Sequence, residues 1–331
     1  MARTVALFLS LLLVFASCRG ADGWSEEVDR MVGSAIRQHE GHSANEKERP
    51  LAVFDFDNTM IDGDISHSLL MYQADRVWYG FDPADPASRV FPEETAALFA
   101  SLKKVSKGRQ RELIKARIRY KVLQRYYGLW KDTGKEGGLA YLVQVLKGMT
   151  PDEVHRLTRE SMDHAMGQSR CLREYGPHGL KGEPVSVQEG IGLRSPIRAM
   201  IKRLKDAGFD VWVASASPRT VVQEAARAYG IPADKVIGNR SQEKAGRITG
   251  DLLTPVTYRK GKVEAIKKFA GRRPVLAFGD AWTDWEMLKW AEHGVLIERG
   301  KTDLDEAARK AGILIQPRFP GEPQWRPCEN R

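Results

Sequence analysis

Four short stretches of this 331-residue chain carry the residue types that do chemistry. The first is Leu51-Ala-Val-Phe-Asp55-Phe56-Asp57-Asn58-Thr59, an apolar run ending in two carboxylates one residue apart. The second is Val211-Trp-Val-Ala-Ser215-Ala-Ser217. The third holds a lysine in Tyr258-Arg-Lys-Gly-Lys262-Val-Glu-Ala-Ile266, and the fourth is Leu276-Ala-Phe-Gly-Asp280-Ala-Trp-Thr-Asp284. Carboxylates, a hydroxyl and an ammonium gathered at one point are costly unless they hold a metal or an anion. Taken alone, Asp55 and Asp57 suit an Asx-rich turn after a strand equally well, since Asp and Asn are common turn formers.

Whether the four stretches meet depends on the elements that carry them. The run from Leu51 has the length of a buried strand. Phe54 and Phe56 then point one way and Asp55 the other, and Asp57 begins the loop beyond. From Ser195 the pattern alternates between helices and strands, with strands at Asp210–Ala216, Lys235–Asn239, Pro274–Phe278, Gly294–Glu298 and Gly312–Gln316. Such alternation predicts a parallel sheet with helices on both faces. The first strand must join that sheet. In such sheets the groups that follow the strands converge at one edge, where ligands bind.

Between these two parts the periodicity is helical. Ser66–Tyr79, Pro92–Lys104, Arg109–Tyr127 and Thr150–Met166 read as helices, the third with Leu113, Ala116, Tyr120, Leu123 and Tyr127 on one face. Arg170–Val187 is irregular, and Ser25–Gln38 is a further helical stretch before the polar connector Gly41–Pro50. The expected fold is α/β, a Rossmann-like doubly wound parallel sheet with an inserted α-helical cap. Its sheet part covers 51–64 plus 191–317 and the cap covers 65–190, after an N-terminal helix and linker at 18–50. Residues 318–331, with three prolines and no periodicity, read as a loosely attached tail.

The chain carries 52 basic and 43 acidic residues, a net charge of +9, spread over its length. That describes a solvated, mildly basic surface that attracts anionic substrates, and no nucleic-acid partner is expected. Arg3 and the apolar run Val5–Ala16 followed by small residues mark 1–17 as a secretory signal peptide. Phe15-Ala16-Ser17-Cys18 resembles a bacterial lipobox, so Cys18 is the expected lipid anchor, with ordinary cleavage near Gly20 or Ala21 as the alternative. The expected location is exported: periplasm or cell envelope, touching the membrane only through that anchor. Cys171 and Cys328 are then left either as a disulfide or as two thiols, and their spacing does not decide.

The four stretches, in this order, resemble the motifs of the haloacid dehalogenase superfamily of phosphohydrolases, over Leu51 to about Ile297. The resemblance implies that Asp55 is the nucleophile that forms an aspartyl-phosphate. Asp57 would be the general acid and then the base, its backbone carbonyl also reaching the metal. Mg²⁺ is the implied cofactor, held by Asp55, Asp57 and Asp280, with Asp284 as ligand or orienter. Ser215 and nearby backbone N–H groups would hold phosphate oxygens. Lys262, or less fittingly Lys260, would neutralise Asp55 and the phosphoryl group. Dehalogenases of this superfamily lack an Asp at the position of Asp57.

The helical insert and Val236-Ile-Gly-Asn-Arg240 resemble the phosphoserine-phosphatase branch. There Asp64 would take the place of a substrate-binding acid; as a helix N-cap it has an equally good structural role. The Ser215-Ala-Ser217 and Ala281-Trp-Thr stretches depart from that branch. Exported relatives include phosphorylcholine phosphatases, for which Trp78, Tyr79, Trp282 and Trp285 would face a quaternary ammonium. The implied function is an exported phosphomonoesterase acting on a small phosphorylated metabolite. The alternatives are a phosphotransferase on the same scaffold, a phosphorylcholine- or phosphoserine-specific phosphatase, and a non-catalytic lipoprotein that binds phosphate esters.

Overall fold

Residues 23–39, 45, 48–132 and 135–329 are described in the computed structural model. The expected leader at 1–17, Cys18 and most of the 41–50 connector lie outside the described residues.

The first helix, α1 (Glu26–His39), is acidic in its first turn and basic in its last, as the helix dipole favours. Leu51–Phe54 then forms β1, every residue buried. A two-residue strand, β2 (Ile61–Asp62), leads out of the sheet. Among the described residues five α-helices follow: α2 (Ile65–Arg76), α3 (Glu93–Lys103), α4 (Arg109–Asp132), α5 (Lys135–Gln144) and α6 (Pro151–Met166). The start of α6 is a full capping box, in which Thr150 Oγ accepts from the Glu153 N–H and the Glu153 carboxylate from the Thr150 N–H. An antiparallel hairpin of β3 (Cys171–Tyr175) and β4 (Val185–Glu189) comes next. The chain returns through β5 (Gly192–Leu193), which pairs with β2, so exit and re-entry run side by side. Then follow α7 (Ser195–Asp206), β6 (Asp210–Pro218), α8 (Arg219–Ala226), β7 (Val236–Lys244), β8 (Arg247–Leu253) and α9 (Lys260–Phe269). The last elements are β9 (Leu276–Gly279), α10 (Trp285–Trp290), β10 (His293–Ile297), α11 (Thr302–Lys310) and β11 (Leu314–Gln316).

Seven of these strands form one sheet in the order β11-β10-β9-β1-β6-β7-β8, parallel except for β8. The chain winds outward in one direction through β6 and β7 and in the other through β9, β10 and β11. β1 therefore sits at the switch point, beside the crevice where α/β sheets bind ligands. Alternate residues of β1 serve opposite layers. Ala52 and Phe54 pack with Val28, Ile197 and Val221 of α1, α7 and α8, and Leu51 and Val53 with Ile266, Met287 and Leu304 of α9, α10 and α11. Phe54 stacks on Phe278 of β9 with ring centroids 4.3 Å apart. Burying each such ring is worth roughly 1.5–3 kcal/mol.

The first layer runs on through Phe56, Met60, Ile61 and Leu69 into the inserted helices. A backbone exchange adds to this join: Gly148 N donates to Ile248 O at 2.7 Å and Ile248 N to Met149 O at 2.9 Å.

The structure departs from the sequence expectations at several points. Arg170–Val187 is not irregular throughout: it holds β3 and most of β4, joined by the Arg173–Glu189 ion pair at 2.8 Å. Charged side chains on these strands hide the alternation that marks a strand. The strands β7 and β8 form a hairpin, of which only the start was legible, and α5 was not recognised. On α4, Leu113 is exposed, while Ile114, Ile118, Tyr120, Lys121, Val122, Leu123 and Tyr126 are buried. Neighbours on more than one side widen the buried face beyond a single stripe.

The stretch 318–329 is not a loose tail. Phe319 is buried against Trp24, Glu322 bonds Arg194, and Leu172 exchanges backbone hydrogen bonds with Arg326 and Cys328. Cys171 and Cys328 are joined as a disulfide.

Candidate active site

The C-terminal ends of β1, β6 and β9 and the first turn of α9 bring the polar residues of all four motifs to one edge of the sheet. Asp55 continues β1, its N–H donating to Phe278 O at 2.8 Å. Lys262 lies in the first turn of α9 and is fully buried. Its Nζ donates to Asp55 Oδ1 at 2.6 Å and to Asp284 Oδ1 at 2.5 Å. Lys260, two residues earlier, is exposed and takes no part. Asp284 accepts the Asp280 and Ala281 N–H groups on Oδ2, both at 3.1 Å. The turn closes this tightly because residue 279 is Gly: a β-carbon there would lie 2.6 Å from that of Asp284. Asp280 accepts Thr59 Oγ1 on Oδ1 at 3.3 Å and Arg299 Nη1 on Oδ2 at 2.9 Å.

Asp57 is held from both sides. The Ile65 N–H at the start of α2 donates to its Oδ1 at 2.7 Å. Ser217 Oγ donates to its Oδ2 at 2.6 Å, while Ser215 Oγ is 3.4 Å away. Ser217 in turn accepts from Ser66 Oγ at 2.7 Å. The strand β6 runs to Pro218, so Ser215 and Ser217 share a face, and the later one reaches the cavity. Ser215 lies fully buried behind it, accepting the Ser217 N–H at 3.0 Å. The period-2 spacing inside the second motif was the signal that could have singled out Ser217.

Asp64 lines the cavity, and it also caps α2, accepting the His67 N–H on Oδ1 at 2.9 Å. The aromatics considered for a quaternary ammonium do not gather here. Trp78 and Tyr79 pack in the core around the inserted helices, and Trp282 and Trp285 pair on each other beside α10. The aromatic residues that line the cavity are Tyr126, Trp130 and Tyr258; only Tyr258 falls within a motif, and it was given no role there. Arg299, two residues beyond β10, was likewise missed because nothing in its local sequence ties it to Asp280.

The electrostatics follow from burial. Burial and the charge of Asp284 hold Asp55 well above the usual carboxylate range, with Lys262 opposing them. Burial and the charge of Asp64 push Asp57 up to about 8, against the lowering pull of the Ser217 hydroxyl and the Ile65 N–H. Burial lowers Lys262, but the charges of Asp284 and Asp55 outweigh it and keep the ammonium above the ordinary lysine range. Carboxylate oxygens of Asp55, Asp280 and Asp284 lie within 4.8 Å of one another. Hard oxygen donors with an excess of negative charge fit a divalent cation such as Mg²⁺. Asp284 is fully buried and bound by Lys262 and two backbone N–H groups, whereas Asp55 and Asp280 line the cavity, which makes them the better donors.

A mostly parallel sheet with buried carboxylates at its switch point defines an α/β protein with a ligand site at the sheet edge, and comparison with known proteins sharpens this. Residues 178–289 match the family model described as haloacid dehalogenase-like hydrolase. A phosphoserine phosphatase from Halobacterium salinarum is 30% identical over 155 residues, 44% of this chain and 73% of that protein. One from Archaeoglobus fulgidus is 31% identical over 165 residues, 47% of each chain. In fold, the chain is similar to a conserved protein of unknown function from Anaerococcus prevotii, with a TM-score of 0.76, 22% identity and coverage of 93% of this chain and 98% of that one. The chain belongs to the haloacid dehalogenase-like hydrolases. Within that family it is a phosphoric monoester hydrolase.

Proposed function

We propose that the protein is an exported, Mg²⁺-dependent phosphomonoesterase that hydrolyses a small phosphate ester through an aspartyl-phosphate on Asp55. The observation that carries this reading is the unlike treatment of two neighbouring carboxylates. Asp55 is paired with a buried ammonium at 2.6 Å, whereas Asp57 is held by the Ser217 hydroxyl and the Ile65 N–H and is pushed up to about 8.

In this reading the Asp55 carboxylate attacks phosphorus and the bond to the ester oxygen breaks. Asp57 gives its proton to the departing alkoxide and then takes one from the water that attacks the aspartyl-phosphate. That second displacement frees phosphate and restores Asp55. Lys262, oriented by Asp284, keeps countercharge beside Asp55 throughout. Ser217 and Ile65 N–H aim Asp57, and Ser215 braces Ser217 from behind. Asp55 and Asp280 would hold Mg²⁺, whose chemistry is to neutralise charge on phosphoryl oxygens.

Residues 65–190 act as the cap over a core of 51–64 plus 191–317, and closure over the site would exclude water. The Cys171–Cys328 disulfide suits an oxidising compartment and so supports export. The leader at 1–17 and lipid attachment at Cys18 complete the proposal. Membrane fractionation of wild type and Cys18→Ala tests the anchor.

The function itself is tested by p-nitrophenyl phosphate turnover with Mg²⁺. Asp55→Asn is expected to abolish it, and wild-type turnover by that variant would sink the mechanism. Phosphoserine is one substrate to try, because the curated relatives carry that name.

A further inference from the structure

The cavity beside Asp55, about 200 Å³, has two unlike halves. One carries the reacting carboxylates and Ser217. The other is a wall of Tyr126 and Trp130 from α4 and Leu139 and Leu142 from α5. Tyr126 and Trp130 sit with ring centroids 5.3 Å apart. Gly138 of α5 sets this wall: a β-carbon there would lie 1.6 Å from the Trp130 ring. A glycine inside a helix costs stability relative to alanine, and here it lets the Cδ1–Nε1 edge of the indole press against the helix.

The charged groups around the cavity are already engaged. Arg299 Nη1 lies 2.9 Å from Asp280 Oδ2, and Lys301 Nζ lies 3.9 Å from the same oxygen. Asp64 caps α2 with one oxygen and has the other 3.6 Å from His67 Nδ1. A zwitterionic alcohol entering here sheds water from both its charges and meets an apolar wall. An apolar body gains by the same desolvation.

We infer that the alcohol of the preferred ester is uncharged and apolar, with a flat ring or similar group that packs on Tyr126, Trp130, Leu139 and Leu142. The substrate class is an aryl or arylalkyl phosphate. This rests on the phosphomonoesterase reading and goes beyond it by making Trp130 and Leu142 specificity-determining residues.

The test compares benzyl phosphate, ethyl phosphate and O-phosphoserine with the mature chain and Mg²⁺, since all three are esters of unactivated primary alcohols, unlike p-nitrophenyl phosphate. Benzyl phosphate is expected to exceed each of the others at least about tenfold in kcat/KM. Trp130→Ala and Leu142→Ala are each expected to narrow the benzyl-to-ethyl ratio at least about fivefold. A ratio within one preparation does not depend on how much of it is folded. O-phosphoserine equal to or better than benzyl phosphate overturns the inference, as does a ratio that neither variant moves. Turnover of p-nitrophenyl phosphate with no preference among the three esters sinks the inference alone. Failure to turn over any ester sinks the phosphatase reading and the inference with it.

Discussion

The Trp325 indole N–H donates to Asp62 Oδ1 at 3.1 Å, across 263 residues of sequence. Asp62 lies on β2, where the chain leaves the sheet for the inserted helices. It is buried, and Arg170 reaches its other oxygen at 2.9 Å while Arg194 lies 3.7 Å away. Arg194 also bonds Glu322 and the carbonyl of Thr59. The segment 319–328 therefore straps the exit point to the β3–β4 hairpin, where the Cys171–Cys328 disulfide fastens its far end.

Breaking the far end should destabilise the protein. The two cysteines are 157 residues apart. On the chain-entropy account a loop of that order contributes on the order of 4–5 kcal/mol. Cys171→Ala/Cys328→Ala should unfold at a clearly lower temperature than wild type, and dithiothreitol should lower the wild type to match. An unchanged melting temperature under both treatments would show that the disulfide adds nothing.

Asp62→Asn tests the middle of the strap. It removes the charge that faces two arginines while keeping the shape. Taking one partner from a buried pair costs about 3–5 kcal/mol, and urea denaturation should show a loss near the lower figure because Glu322 still serves Arg194. A loss below about 1 kcal/mol would place Asp62 among ordinary surface charges.

Lys262→Met leaves Asp55 and Asp284 buried without their shared cation. Turnover should vanish, and folding should weaken by several kcal/mol at neutral pH, about 3–5 on the scale of broken buried pairs. The loss should shrink at pH 5, where Asp55, held well above the usual carboxylate range, keeps a proton and needs no cation. A deficit independent of pH would mean that lost packing rather than lost charge is responsible.

The metal-free protein should lose stability as pH rises. Between the ordinary carboxylate value of about 3.9 and about 8, folded Asp57 keeps a proton that the unfolded chain has released. Its contribution is fully present below that lower value and falls by up to about 1.4 kcal/mol per pH unit across the window. Melting curves in EDTA should show the slope, and Asp57→Asn should flatten it. Added Mg²⁺ should raise the melting temperature more at pH 8 than at pH 5, because the carboxylates that would hold it must be ionised. Parallel slopes for wild type and Asp57→Asn would rule out Asp57 as the source.

Some of this was legible in the residues and some was not, for a physical reason. Strand β1 reads from its own apolar run, and the alternation after Ser195 demands a parallel sheet. Parallel strands send their following groups to one edge, so Asp55, Asp57 and Asp280 gather from the sequence alone, and the family resemblance adds Lys262 in preference to Lys260. Each of those inferences uses interactions within a few residues of chain. Contacts made across long separations decided the rest. Which hydroxyl touches Asp57 depended on how far β6 runs before α8 begins. Which face of α4 is buried depended on the neighbours packed against it. Arg299 met Asp280, Trp325 met Asp62, and Trp130 met Gly138 only because the fold brought distant or separately packed elements together. The sequence by itself determined the sheet and the reacting carboxylates, through local pattern and strand polarity. Only the tertiary structure decided the cavity wall and the strap, because packing between elements leaves no periodic trace in either partner.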